Sequence, residues 1–386
     1  MSYLDILQKI PCVVKIPDET KSLWDICLPE VWMPSSLVEW KISIDSLVEP
    51  IQNKTLFVNF KEDELKELTQ IYGFPIIELP TIPTVSMFNE FIIGRFDDLY
   101  SGKTTILRQS EISKEITKRI SNWFPDIVVF LVFDGLSFHD VMQWEFPKDW
   151  LVKREPCFVN GLTNTESGMP RLVGSPYLAH CLFSLGYKQR LGFSYWERSQ
   201  NKLTDEIFAE FPTTQLHRVT TFAEILQKLS ELDSTSRLFI QIVRNGMESY
   251  CHHHRERPDL THIIDNLKND VEKIVESLKT IGKTFRLFIT SDHGILWFDR
   301  QRLSPFDSKD AHSRYTEGVA ENETETVMID ENNQMYTLLV GDEIIAKNRS
   351  VMEWGFHGGL SAQESLVPLI DIISNTQIKH LEENHA

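Results

Sequence analysis

The chain has 386 residues, 41% of them hydrophobic and 25% charged, an ordinary globular balance that can bury a large core. Its formal net charge of −17 excludes a nonspecific grip on duplex nucleic acid, which needs a basic footprint. No apolar run approaches the roughly 20 residues that span a bilayer, and five scattered cysteines without a CxxC pair suit reduced thiols. The first residues carry two acids and no small-residue cleavage site, so the expected location is cytoplasmic, with no membrane association.

Residues 1–108 show no clean alternation of strand and helix. Prolines interrupt them, with candidate strands at "TLFVNF" and a helical stretch at "EDELKELTQIYG", so they read as an N-terminal accessory region. "LYSGKTT" (99–105) lacks the glycine spacing of a phosphate-binding loop and reads as a surface turn. From 109 to 386 the pattern is regular. Ser110 is expected to cap a helix with Ile112, Ile116 and Ile120 on one face. The run 127–133 predicts a strand buried on both faces, ended by Asp134-Gly135. Ser175-Pro176 reads as the cap and first position of a helix. "RLFIQIV" (237–243) predicts a strand, 259–282 an amphipathic helix, and 286–290 a second buried strand ended by Asp292-His293. This strand–helix–strand unit implies parallel neighbours, an α/β fold, and ligands beyond the carboxyl ends of the strands.

Several ligand-type side chains fall at those ends. They are Asp134, Asp292-His293, "MESYCHHH" (247–254) and "EWGFHGGLS" (353–361). An adjacent Asp-His offers one hard oxygen and one imidazole nitrogen, which suits zinc or manganese. Acids gathered this closely repel one another unless cations lie among them, and three groups of donors suggest two cations. For a nucleophile, Thr163 and Thr165 lie in a predicted loop with Asn164, where Gly168 permits a sharp turn. "DAHSRYTEG" (310–318) places His312 and Arg314 where they could grip substrate phosphate or lie in a solvated loop. The acid-rich run 317–333 predicts an exposed flap or hairpin. "GLSFH" (135–139) lacks the glycine of a serine nucleophile elbow.

Four motifs in this order resemble the PglZ branch of the alkaline phosphatase superfamily: "FDGL" (133–136), "TNTESGM" (163–169), "TSDHG" (290–294) and "FHGGLSAQESLVPLI" (356–370). The resemblance covers about residues 125–373. It implies an alkaline-phosphatase-like, mostly parallel central sheet flanked by helices, with two divalent ions, zinc first and manganese second. On the same match Thr165 is the nucleophile, Asn164 helps position phosphate oxygens, and Asp134, Asp292, His293 and His357 are metal ligands. The family's Asp-x-x-x-His pair is altered. Glu248 and His252 keep its spacing with a longer acid, and His253 or His254 are substitutes for the latter.

The implied activity is metal-dependent hydrolysis of a nucleotide or short oligonucleotide phosphodiester through a phosphothreonine, in bacterial anti-phage defence or signalling. One ion would sit on Asp134, Asp292 and His293, the other on Glu248, His252 and His357. Protein partners from a defence system are implied as well. Two rivals follow from the same residues. A non-catalytic scaffold subunit is favoured by the altered acid at 248, and a phosphotransferase or mutase by the threonine loop.

Overall fold

A computed structural model describes residues 13–15, 56–58, 62–72, 76–78, 84–173, 176–196, 208, 215–232, 236–251, 256–297, 303–304, 314–319, 325–345 and 354–373. The chain divides into two compact units, Met1–Arg95 and Phe96–Ala386. In the first, β1 (Val13–Lys15), β2 (Leu56–Val58) and β3 (Ile76–Glu78) form a parallel sheet in the order β2-β1-β3. Two helices, Glu62–Tyr72 and Val85–Gly94, belong to the same unit. Thr84 caps the second, its Oγ1 accepting the Met87 N–H at 3.3 Å.

The second unit runs through β4 (Leu107–Arg108), β5 (Ile127–Asp134), β6 (Leu151–Phe158), β7 (Gln189–Tyr195), β8 (Leu216–Arg218), β9 (Leu238–Asn245) and β10 (Phe285–Ser291). The short strands β11 (Leu296–Trp297), β12 (Leu303–Ser304), β13 (Tyr315–Glu317), β14 (Thr326–Glu331), β15 (Gln334–Leu339), β16 (Ile344–Ile345) and β17 (Gly355–Phe356) precede the long β18 (Leu366–Ile373). Eight strands make one sheet in the order β4-β6-β18-β10-β5-β9-β7-β8, and β18 alone runs against the others. This is the mixed α/β, mostly parallel sheet that the sequence implied.

Burial follows from composition. All eight residues of β5 and all seven of β10 are buried, as expected of apolar strands in the middle of a sheet covered on both sides. On one face, Ile112, Ile116 and Ile120 of helix Ile112–Ser121 pack with Val128, Phe130 and Val132. Helices Phe222–Ser230 and Leu260–Thr280 belong to the opposite face. There Arg244 lies over the rings of Phe133 and Phe222 and pairs with Asp270 of the longer helix. That helix buries Ile263, Leu267, Val271, Ile274, Val275 and Leu278 and is capped by Asp259. Ser110 does not cap as expected. A 3₁₀ turn, Gln109–Glu111, comes first, and the Ser110 N–H donates to Asn160 Oδ1 at 3.2 Å. The acid-rich run forms the predicted hairpin where described, β14 pairing with β15 around Asn332 and Asn333, both at positive φ. Ser175 lies outside the described residues.

Candidate metal centre

Asp134 closes β5, and Asp292-His293 follow β10. The parallel register pairs Ser291 with Phe133, so the two acids stand side by side at the carboxyl edge. Asp134, Asp292 and His293 are all buried, and one ligand atom from each lies within 4.8 Å of the others. Thr165 joins them. Its Oγ1 lies 3.1 Å from Asp134 Oδ1 and 3.2 Å from His293 Nε2.

The threonine arrives on a helix, Thr165–Leu172, where the sequence predicted a loop. Asn164 explains the difference. It is the N-cap, and its Oδ1 accepts the Ser167 N–H at 3.0 Å. Gly168 serves approach rather than a turn, because a Cβ there would collide with the Asp292 carbonyl.

Hydrogen bonds leave each donor with one atom facing the centre. Asp292 Oδ1 accepts the N–H groups of Gly135 (3.0 Å) and His293 (2.9 Å). Its Oδ2 is buried without a hydrogen bond, 3.6 Å from His293 Nε2. Asp134 Oδ2 accepts the Trp196 indole N–H, while Oδ1 accepts from Thr165. His293 Nδ1–H donates to the Gly294 carbonyl at 2.9 Å, which puts the lone pair on Nε2. Burial, then the Asp292 and Glu248 carboxylates, pushes Asp134 up to about 7. Burial, with Glu248 adding, takes Asp292 up to about 7 as well. His293 is lowered by burial and by the neighbouring His357.

These features fit a divalent cation. An orphaned buried carboxylate oxygen, a second carboxylate with one oxygen turned inward and a neutral imidazole nitrogen are a donor set for a hard or borderline ion. A positive charge at that point would also favour the ionised form of both acids, which burial and neighbouring carboxylates oppose.

A second pair adjoins the first. Glu248, on the 3₁₀ turn Glu248–Tyr250 after β9, is 5% exposed. Its Oε1 lies 3.2 Å from His357 Nε2, and the His357 ring stacks on His293 with centroids 4.6 Å apart. Burial pulls the His357 pKa down, but Glu248 outweighs it and raises the imidazole to about 9. The turn after His357 depends on Gly358, whose φ of +109° suits glycine. Thr163 holds that turn. Its hydroxyl donates to the Gly359 carbonyl and accepts the Gly358 N–H, both at 2.9 Å. Thr163 is therefore committed to the backbone.

Arg314, expected near substrate phosphate, has another place. It is fully buried and donates to Glu364 from Nε (3.0 Å) and Nη2 (2.6 Å), and to the Gly341 carbonyl at 2.7 Å. Glu364 in turn accepts the Gly359 N–H at 2.9 Å, so Arg314 supports the histidine turn through an ion pair. His252, His253, His254 and His312 lie outside the described residues.

Three residues around the centre escaped the sequence reading: Trp196, Gln109 and Arg171. Gln109 is fully buried and donates to the Asp292 carbonyl at 2.5 Å, and its Oε1 accepts from Arg171 at 3.0 Å. Trp196 directly follows a strand, β7, which was a signal available to a reader who had assigned that strand. Nothing in the sequence around Gln109 marks it.

No protein-family model matches the chain, and no curated protein sequence does. Among solved structures it is similar to murine ectonucleotide pyrophosphatase/phosphodiesterase 5, with TM-score 0.43 and 14% identity, over 63% of this chain and 87% of the other. It is similar to the C-terminal periplasmic domain of EcEptC from Escherichia coli, with TM-score 0.35 and 12% identity, over 66% and 75%. It is also similar to phosphonoacetate hydrolase from Sinorhizobium meliloti, with TM-score 0.41 and 9% identity, over 64% and 90%.

Proposed function

We propose that the chain is a metal-dependent phosphoric ester hydrolase of the alkaline phosphatase superfamily, PglZ branch, with Thr165 as nucleophile. The observation that carries the reading is the position of Thr165 Oγ1, buried at a helix start within 3.2 Å of both Asp134 and His293. A threonine hydroxyl is inert unless its pKa is lowered, and this one faces the donor set suited to a cation.

Asp134, Asp292 and His293 would hold one ion, and Glu248 and His357, with His252, a second. A bound divalent ion lowers the pKa of a coordinated hydroxyl and offsets charge on phosphoryl oxygens. The chain's residues do the rest. Helix Thr165–Leu172 aims Oγ1, and Asn164 fixes its first turn. In the reaction Thr165 Oγ forms a bond to phosphorus as the bond to the leaving oxygen breaks. The proton that Thr165 gives up passes to the leaving oxygen. Water then forms a bond to phosphorus as the bond to Thr165 Oγ breaks, and the proton lost by that water restores the threonine hydroxyl. The substrate class we infer is a nucleotide or short oligonucleotide phosphodiester. The net charge of −17 argues against unaided binding of long duplex DNA. A role in anti-phage defence beside protein partners, a cytoplasmic location, and a division into an accessory region (1–108) and a catalytic domain (109–386) complete the reading. No helix among the described residues is long and apolar enough to cross a membrane.

The test is hydrolysis of a chromogenic phosphodiester and the matching monoester with zinc or manganese, wild type against Thr165→Ala. Turnover that prefers the diester and disappears in the variant supports the proposal. Silence of folded, metal-loaded wild type on both esters rejects it in favour of a scaffold role.

A further inference from the structure

The donors around the proposed ion are presented singly: Asp134 Oδ1, Asp292 Oδ2, His293 Nε2 and Thr165 Oγ1. Four single donors match a small four-coordinate ion such as zinc. Calcium takes six to eight oxygens and favours carboxylates that give both. What withholds the other oxygen differs between the two acids. Asp292 Oδ1 is tied down by two backbone N–H groups, which no side-chain change removes. Asp134 Oδ2 depends on one side chain, the Trp196 indole, which is 4% exposed and reaches Asp134 from the end of β7.

We propose that Trp196 is a positioning residue that keeps Asp134 a one-oxygen ligand and thereby sets the preference of the centre for a zinc-class ion over a calcium-class ion. Removing the indole N–H frees Oδ2 to turn toward the ion. The site then gains a fifth donor that a larger ion uses better than zinc does, and Asp134 loses the restraint that aims Oδ1. The inference rests on the reading of Asp134, Asp292 and His293 as metal ligands.

The experiment measures Zn²⁺ and Ca²⁺ dissociation constants of the full chain by competition with a chromophoric chelator. Wild type is compared with Trp196→Phe, Trp196→His and Trp150→Phe. The imidazole Nε2 of histidine occupies the ring position of the indole Nε1, so that variant keeps a donor. Trp150 is also buried but precedes β6, at the sheet edge away from the centre, and controls for the loss of a core indole. The expected result is a Zn²⁺-to-Ca²⁺ affinity ratio at least about tenfold lower in Trp196→Phe, the usual scale for loss of a ligand's hydrogen-bond partner. Trp196→His should recover most of the ratio, and Trp150→Phe should leave it unchanged. A ratio that does not move in Trp196→Phe, or moves as far in Trp150→Phe, overturns the inference. A wild type that binds neither ion overturns the metal reading instead. Unmutated protein gives a second measurement that needs no folded variant. The Trp196 indole N–H, held by a carboxylate, should resonate downfield of a solvent-bonded indole and should stay there when Zn²⁺ is added. Its collapse to the position of a solvent-bonded indole also overturns the inference.

Discussion

The two halves of the centre are built on different plans. Asp134, Asp292 and His293 sit at the ends of the two most deeply buried strands, and hydrogen bonds fix every non-ligating atom named above. Glu248 and His357 come from a 3₁₀ turn and a glycine turn and meet each other at 3.2 Å, with His357 raised to about 9. The first half is an array of donors that repel one another without a cation. The second is an ion pair that is already compensated. Rigidity and unmet charge therefore coincide on one side, and that side also holds Thr165.

The sharpest way to break this comparison is one atom in the first half. Asp292→Asn keeps volume and puts an amide where the orphaned oxygen lies. It should weaken the first metal-binding event by at least about 10²-fold and suppress ester hydrolysis, because a ligand and its charge go together. His357→Ala should leave that first event within a few-fold of wild type. Isothermal titration with Zn²⁺ reads both. Equal losses in the two variants would show that the halves are one site.

The second half is expected to show its dependence in stability. Arg314→Met removes the guanidinium and leaves Glu364 charged and fully buried. Breaking a buried pair by removing one partner costs about 3–5 kcal/mol, so denaturant unfolding should lose that amount. The double variant Arg314→Met with Glu364→Leu should recover much of it. No recovery would mean that Arg314 matters for something other than its partner.

Arg314 also marks how far the sequence could be read. Strand ends bearing Asp134 and Asp292-His293 were legible because uninterrupted apolar runs such as 127–133 announce central strands, and the residue after such a run falls at the ligand edge. Thr165 and His357 were legible through motif order. Arg314 was misassigned because a guanidinium in a polar stretch looks like an anion grip, and its partner Glu364 lies 50 residues away, in a segment read for His357. Trp196 and Gln109 were missed for a related reason, although the end of β7 could have marked Trp196. Each acts through a contact 62 residues or more along the chain, which no local pattern encodes. Strand β18, the one antiparallel member, likewise follows from tertiary pairing with β6 and β10 rather than from its apolar sequence.

Titration gives the first half a pH window of its own. Asp134 and Asp292 have pKa values of about 7 in the metal-free fold, above the ordinary carboxylate value. The folded state therefore binds more protons than the unfolded state between about pH 4 and 7, and stability falls as pH rises across that window. A cation reverses this by favouring the ionised pair. Added Zn²⁺ should raise the unfolding midpoint more at pH 8 than at pH 5, with about 2.7 kcal/mol expected at a hundredfold excess over Kd. An increment that is equal at both pH values would deny the acids their place at the ion.

The finest probe is the hydroxyl that joins the halves. Thr163 lies two residues from Thr165, yet it bonds both Gly358 and Gly359 beside His357. Thr163→Ser keeps a donor and an acceptor and should behave as wild type within about 0.5 kcal/mol, the ordinary range of a mild substitution. Thr163→Val keeps the shape and strands a backbone N–H and a carbonyl in a buried place, so about 1–3 kcal/mol of stability should be lost. Because the bond sets where His357 stands relative to Thr165, Thr163→Val should slow release of the phosphothreonine more than its formation. Rapid-quench kinetics would then show a preserved burst and a slower steady state. A lost burst in Thr163→Val, with phosphate still attached to protein in Thr165→Ala, would instead make Thr163 the attacking group and reverse the order of the two threonines.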